Sequence, residues 1–214
     1  SKSSDETEVS SKTEISLKID LVLLFFLKIA SQSGQCRKKR VIMMTRNDNS
    51  RKKGSRMMRR KDREITDFDA IVQIIRACDS CVLGLNDDGF PYLVPMNFGM
   101  DIEEGQLYLY FHCANEGKKL DLIRKDNRVT FEMDCEHNFI LYEERMSCTM
   151  GFASVIGHGT ISFVPEEEKL DALKILMRQY HAEDFRFNTD MVPATTVLRL
   201  KVSDVIGKRR NNIH

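Results

Sequence analysis

The chain has 214 residues, 42% hydrophobic and 30% charged, which supports one ordinary domain core under a polar surface. Its formal net charge of +1 hides an asymmetry: residues 1–61 hold 16 Lys/Arg against 6 Asp/Glu, and residues 62–214 hold 17 against 26. Whole-chain charge therefore excludes any inference about partners until the two parts are read separately.

The opening "SKSSDETEVSSKTE" is polar and has no hydrophobic period. The next apolar run, Leu21–Leu27, is closed by Lys28 and is too short to span a bilayer. Its acidic front also argues against a secretory signal. The segment "CRKKRVIMMTRNDNSRKKGSRMMRRK" then sets twelve basic residues against Asp48 alone. If it belongs to the mature protein, such a run suits nucleic acid or an anionic membrane; otherwise it is a solvated tail. The compositional break falls before Met57–Met58. It divides the chain into a basic leader, 1–57, read as an upstream extension, and a domain, 58–214.

In the domain, "DFDAIVQIIRAC" places Phe68, Ile71, Val72 and Ile75 at helical spacing, with Asp67 as N-cap. A strand "CVLGL" and the turn cluster "NDDG" follow, then a second strand, "FPYLVPMNFGM". Pro91 and Pro95 confine that strand to an edge or require bulges. "QLYLYFHCA" alternates Leu107, Leu109 and Phe111 against Tyr108, Tyr110 and His112. "NEGKKLDLIRKD" reads as a short helix with Leu120 and Ile123 inward. "RVTFEMDC" alternates Val129, Phe131 and Met133, and "GFASVIGHGTISFV" is a long strand bent or bulged near Gly157 and Gly159. Pro165 opens a helix with Leu170, Leu173, Leu176 and Met177 on one stripe, and "TTVLRLKV" is the last strand. Six short strands with interspersed helices and no βαβ alternation predict a mainly β, α+β fold, a partly open antiparallel barrel.

Six cysteines, Cys36, Cys78, Cys81, Cys113, Cys135 and Cys148, lie mostly in strand-like runs. They read as reduced thiols in a reducing compartment, hence a cytoplasmic protein. Cys78 and Cys81 form a C-x-x-C pair, but no second pair and no nearby His completes a metal site, so they read as packing thiols.

The stretch Phe111–Lys119 is the most informative. A strand end runs through a tight connection into a helix, with Asn115 as the expected N-cap and the amides of Glu116, Gly117 and Lys118 left open. Gly117 permits close approach of a ligand to the backbone. Lys118 and Lys119 add charge at the positive end of the helix dipole. The combination suits a phosphate monoester, although a solvated helix start carries the same residues. His112 precedes this site on the face of Tyr108 and Tyr110.

The ordered set "VPMNFG", "YFHCANEGKK", "RVTFEMD" and "SVIGHG" resembles the pyridoxamine 5'-phosphate oxidase-like split-barrel flavoproteins, closest to their nitroimidazole-resistance branch. The resemblance runs from about Met58 to Val205. It implies a six-stranded FMN-binding split barrel, typically a homodimer with flavin at the interface. Pro95, Met96, Asn97 and Phe98 would lie along the isoalloxazine. His112, Cys113 and Ala114 would follow the ribityl and ring side, Lys118 and Lys119 the phosphate, and Ser154 and Val155 would approach from the later strand. Cys113 stands where such proteins commonly carry Ser, and no match to the substrate-binding part of the vitamin oxidases is present. The resemblance implies an FMN-dependent oxidoreductase acting on a small electron-poor substrate such as a nitro compound, with His112 as proton donor and no metal. FAD in place of FMN is left open. The competing readings are a non-catalytic flavin carrier or sensor, and a haem protein with His112, His137 or His158 as axial ligand.

Overall fold

The computed structural model describes residues 60–210, so the expectations for the leader lie outside the described residues. A two-residue strand β1 (Glu64–Ile65) leads into helix α1 (Phe68–Ala77). The helix starts at Asp67, whose carboxylate accepts the Ala70 amide at 2.9 Å, and buries Ile71, Val72, Ile74 and Ile75. Strands β2 (Cys81–Leu85) and β3 (Tyr92–Met96) form the expected hairpin across the "NDDG" turn, with Leu85 opposite Tyr92. Then come β4 (Gly99–Glu103), β5 (Gln106–Ala114), helix α2 (Lys118–Lys125), β6 (Arg128–Tyr142), β7 (Ser147–Phe163), helix α3 (Lys169–Gln179) and β8 (Thr195–Arg210).

All pairings are antiparallel, in the order β3-β2-β6-β7-β8-β5-β4, with β1 added to β8. The sheet curls around Leu83, Leu109, Phe111, Phe131, Val155 and Leu200, all fully buried. Its two end strands, β3 and β4, are not hydrogen-bonded to each other, so the barrel is split. A smaller core lies outside the barrel, where Tyr110 and Val197 meet Ala172, Leu173 and Leu176 of α3. The α+β open-barrel class is therefore the one expected. Among the described residues no helix is long and apolar enough to cross a membrane.

The strand count differs from six: the described residues hold eight. β1 is too short to show a period. The run Phe90–Met100 reads as one strand but is two, broken at Asn97–Phe98 by a side chain from far along the chain, described below. β6 and β7 also run beyond the expected ends, past a register shift between Cys135 and Asn138, into a hairpin arm ending at Tyr142 and Ser147. The irregularity foreseen near Gly157 and Gly159 is present. There β7 passes from His158 opposite Asp204 to Gly159 opposite Val202, leaving Ser203 as the extra residue on β8. Pro95 lies on β3, an end strand of the sheet order, where a missing N–H is tolerated.

Gly99 lets β4 approach α3 closely: a Cβ there would lie 2.6 Å from the Leu176 amide nitrogen and 2.7 Å from the Ile175 carbonyl carbon. Backbone atoms cannot yield as a flexible side chain can. Gly99→Ala should therefore cost about 1–3 kcal/mol of unfolding free energy, read from urea unfolding; an unchanged midpoint would mean that α3 is free to move away.

Candidate functional site

The split forms a seam between β3 and the end of β5. β4 pairs with β5 only from Glu103–Gln106 to Gly99–Tyr110. Beyond that point Phe111 to Ala114 pair with β8 alone, so their other edge is open. Phe98 and Asn97 leave the β4–β5 ladder beside Phe111 and His112. Pro95–Phe98 and His112–Ala114 thus lie on the free strand edges that flank the split.

The bend at Asn97–Phe98 is held by Tyr180, just past α3. Its hydroxyl accepts from the Phe98 amide at 3.0 Å, lies 3.1 Å from Asn97 Nδ2 and donates to the Asp79 carbonyl at 2.9 Å. The neighbouring Gln179 Nε2 donates to the carbonyls of Ile75, Arg76 and Cys78 at the end of α1. Sequence reading missed both residues. Tyr180 ends an ordinary amphipathic helix, and nothing local marks it as the partner of a residue 83 positions away.

At the other end of the seam, α2 begins with Gly117 at φ 136°, not Asn115 as expected. Only glycine takes that backbone angle readily. Asn115 serves instead as a tie: its Nδ2 donates to the Pro193 carbonyl at 3.1 Å and its Oδ1 accepts from Thr196 Oγ1 at 2.8 Å. The connection is thereby pinned to the start of β8, and the first amides of α2 have no partner within their helix. Lys118 pairs with Asp87 at 2.7 Å and sits 5.2 Å over the Tyr92 ring. The pair lowers the Asp87 carboxyl below its ordinary range, with Lys118 as the main cause, and raises Lys118. Lys119 acts on His112 and Cys113. Burial first, and the Lys119 charge second, hold His112 below its ordinary 6.5. Burial raises the Cys113 thiol, with Lys119 opposing.

Tyr92 begins β3 and Asn97 follows its end, so the lysine cradle and the Tyr180-held bend are about 17 Å apart along the strand. The strand edge thus runs from two lysines at a helix start to a bend that carries a carboxamide.

The remaining expected residues are placed differently. The Met96, Phe98 and Val155 side chains are spent on the barrel core, so those residues can meet a ligand only through backbone. Pro95 is exposed on the outer side of β3. Ser154 lies opposite Asp134 and Lys208. His112 lies opposite Val197, eleven residues away along β8 (208 − 197), about 36 Å of strand. Within one chain, Ser154 is not brought to the seam. His137 is 2.7 Å from Asp134 and His158 is 3.0 Å from Thr130. Among the described residues no group of three or more His, Cys, Asp or Glu could hold a metal. Cys78 and Cys81 are buried free thiols, both shifted up by desolvation. Two surface grooves, of about 410 Å³ at Ile123–Asn127 and 420 Å³ between Leu93, Gly84 and Thr130, are lined by neither His112 nor Lys118.

Residues 67–209 match the pyridoxamine 5'-phosphate oxidase family. Among solved structures, the chain is similar to a candidate 5-nitroimidazole antibiotic resistance protein from Bacteroides thetaiotaomicron. That match has 32% identity over 68% of this chain and 86% of the other, with a TM-score of 0.60. It shares its fold with the flavocytochrome Anf3 from Azotobacter vinelandii (18% identity, 73% of each chain, TM-score 0.60). It also shares it with an FAD and haem binding protein from Mycobacterium smegmatis (15% identity, 70% and 74%, TM-score 0.61). No curated protein sequence matches the chain.

The lowered His112 pKa has a sign that can be measured. Above the unfolded value of 6.5 both states carry a neutral ring; below it the unfolded chain takes up a proton that the folded chain still refuses. Folding stability should thus fall as the pH drops through 6.5 towards the folded value. His112→Gln should lose that component, so the slope of unfolding free energy between about pH 7 and pH 5 should be shallower than in the wild type. Equal slopes would place His112 in solvent.

Proposed function

The chain belongs to the pyridoxamine 5'-phosphate oxidase family, and on that basis we propose that it is a flavin-binding oxidoreductase that holds FMN in the seam and reduces a small electron-poor substrate, a nitro compound being the leading class. The observation that carries this reading is the length and polarity of the seam. Gly117, Lys118 and Lys119 make a cradle for a phosphate monoester, and a hydrogen-bonding bend lies about 17 Å along β3 from Tyr92, the residue under Lys118, which leaves room for a planar ring beyond the phosphate. When bound, the flavin supplies the electron or hydride chemistry, and the protein supplies binding, orientation and local electrostatics.

The chain's own residues divide that work. Lys118, held by the half-buried Asp87, exchanges a carboxylate partner for a phosphate. The open amides of α2 complete the anion site. The open edges of β3 and of Phe111–Ala114 offer backbone donors and acceptors to a planar ring. His112 stands beside the bend as a neutral imidazole at neutral pH, and in this reading it relays a proton, giving its N–H proton to the substrate while the other ring nitrogen takes one up from solvent. Ser154 and Val155 reach such a flavin only from a second chain. A homodimer follows from that, and Leu93 at 64% and Ile156 at 46% exposure supply apolar surface for it on the outer face. The buried free thiols fit a reducing compartment, the cytoplasm in this reading.

The purified chain should show flavin absorbance, or acquire it with added FMN, and the ligand released by heat should have the FMN mass. A colourless protein that takes up no FMN overturns the proposal. The double substitution Lys118→Ala, Lys119→Ala should weaken FMN at least about tenfold, roughly 1.4 kcal/mol, while leaving riboflavin, which lacks the phosphate, unaffected. Equal losses for both ligands would remove the lysines from the phosphate site. His112→Ala should retain flavin and lose turnover of nitro substrates; undiminished turnover would take His112 out of the chemistry.

A further inference from the structure

The Tyr180 hydroxyl has one proton, and its surroundings dictate where that proton goes. Asp79 offers a backbone carbonyl at 2.9 Å, which can only accept. The Phe98 amide at 3.0 Å can only donate. With its proton on Asp79, the hydroxyl can only accept from Asn97, so Asn97 must turn its NH2 towards it at 3.1 Å. The same Nδ2 lies 3.4 Å from the Asp79 carbonyl. A flipped carboxamide would set its oxygen against two acceptors. Burial raises the Tyr180 pKa above its ordinary value of 10, so the hydroxyl keeps its proton at neutral pH. Asn97 itself is exposed, at the open end of β3.

We infer that Tyr180 is a positioning residue that fixes the Asn97 carboxamide with its carbonyl oxygen presented to the seam, and that this oxygen selects ligands carrying an N–H at the ring edge, such as the imide of a flavin. The inference rests on the flavin reading above and adds to it a specificity element built by a residue from another part of the chain. A site made to accept a hydrogen bond rejects an analogue lacking the donor, because the acceptor is then left unpaired.

The test compares FMN with 3-methyl-FMN, which lacks that N–H, by fluorescence titration of the full chain. Wild-type protein should bind FMN at least about tenfold more tightly than the methylated analogue. Tyr180→Phe frees the carboxamide to turn, and Asn97→Ala removes it; both should shrink the ratio to within about threefold. If Tyr180→Phe fails to fold, Asn97→Ala alone carries the comparison. A purely structural Tyr180 would weaken both ligands equally and leave the ratio unchanged, which overturns the inference. So does discrimination that persists in Asn97→Ala, which would mark a steric origin, and so does a wild type that binds both ligands alike. If the wild type binds neither ligand, it is the flavin reading that falls.

Discussion

The end of helix α3 is where the fold is tied together. At the end of helix α1 the Cys78 amide caps the Ile75 carbonyl, and Gln179 donates to the carbonyls of Ile75, Arg76 and Cys78. The next residue, Tyr180, bonds Asp79 just beyond them and reaches the Asn97–Phe98 bend. Two adjacent side chains thus partner the half-buried Phe98 amide and Cys78 carbonyl, groups that cost about 1–3 kcal/mol each when buried unpaired. They also prevent β3 and β4 from continuing as one strand. Gly99 completes the arrangement by letting β4 lie directly against the backbone of α3.

Helix α2 closes the barrel near the other end of the seam. Leu120 and Ile123 enter the core. Asn86 donates to Asp126 at 2.7 Å and Lys125 pairs with Asp88 at 3.1 Å, so the far end of the helix is tied to the β2–β3 turn. Its near end is set by Asn115, through Pro193 and Thr196. The helix start is therefore held from two sides, and its lysines face an otherwise acidic body. Lys118 is already paired with Asp87, and exposed pairs of this kind are worth little. Lys119 has a different effect, helping to keep the ring of His112 neutral. Lys119 and His112 are thus coupled electrostatically although they come from α2 and β5.

The amino-acid sequence by itself determined the class of fold and most of its elements. Alternation in Leu107–Phe111 and Val129–Met133, the cap at Asp67 and the Asn86–Gly89 turn are local signals, and each produced the element it predicts. The helix over Lys118–Lys125 is local in the same way, because a helix start is built from neighbours in the chain. The tertiary structure alone decided what depends on distant partners. Gly117 rather than Asn115 begins α2, because Asn115 is drawn away to Pro193 and Thr196. Phe90–Met100 is two strands because a hydroxyl 82 residues beyond Phe98 claims its amide. Ser154 stands apart from His112 because strand register, which no local pattern encodes, places them opposite positions at the two ends of β8. Periodicity reports which face of a segment is buried; which groups meet across the sheet is set by register and by side chains that satisfy distant backbone.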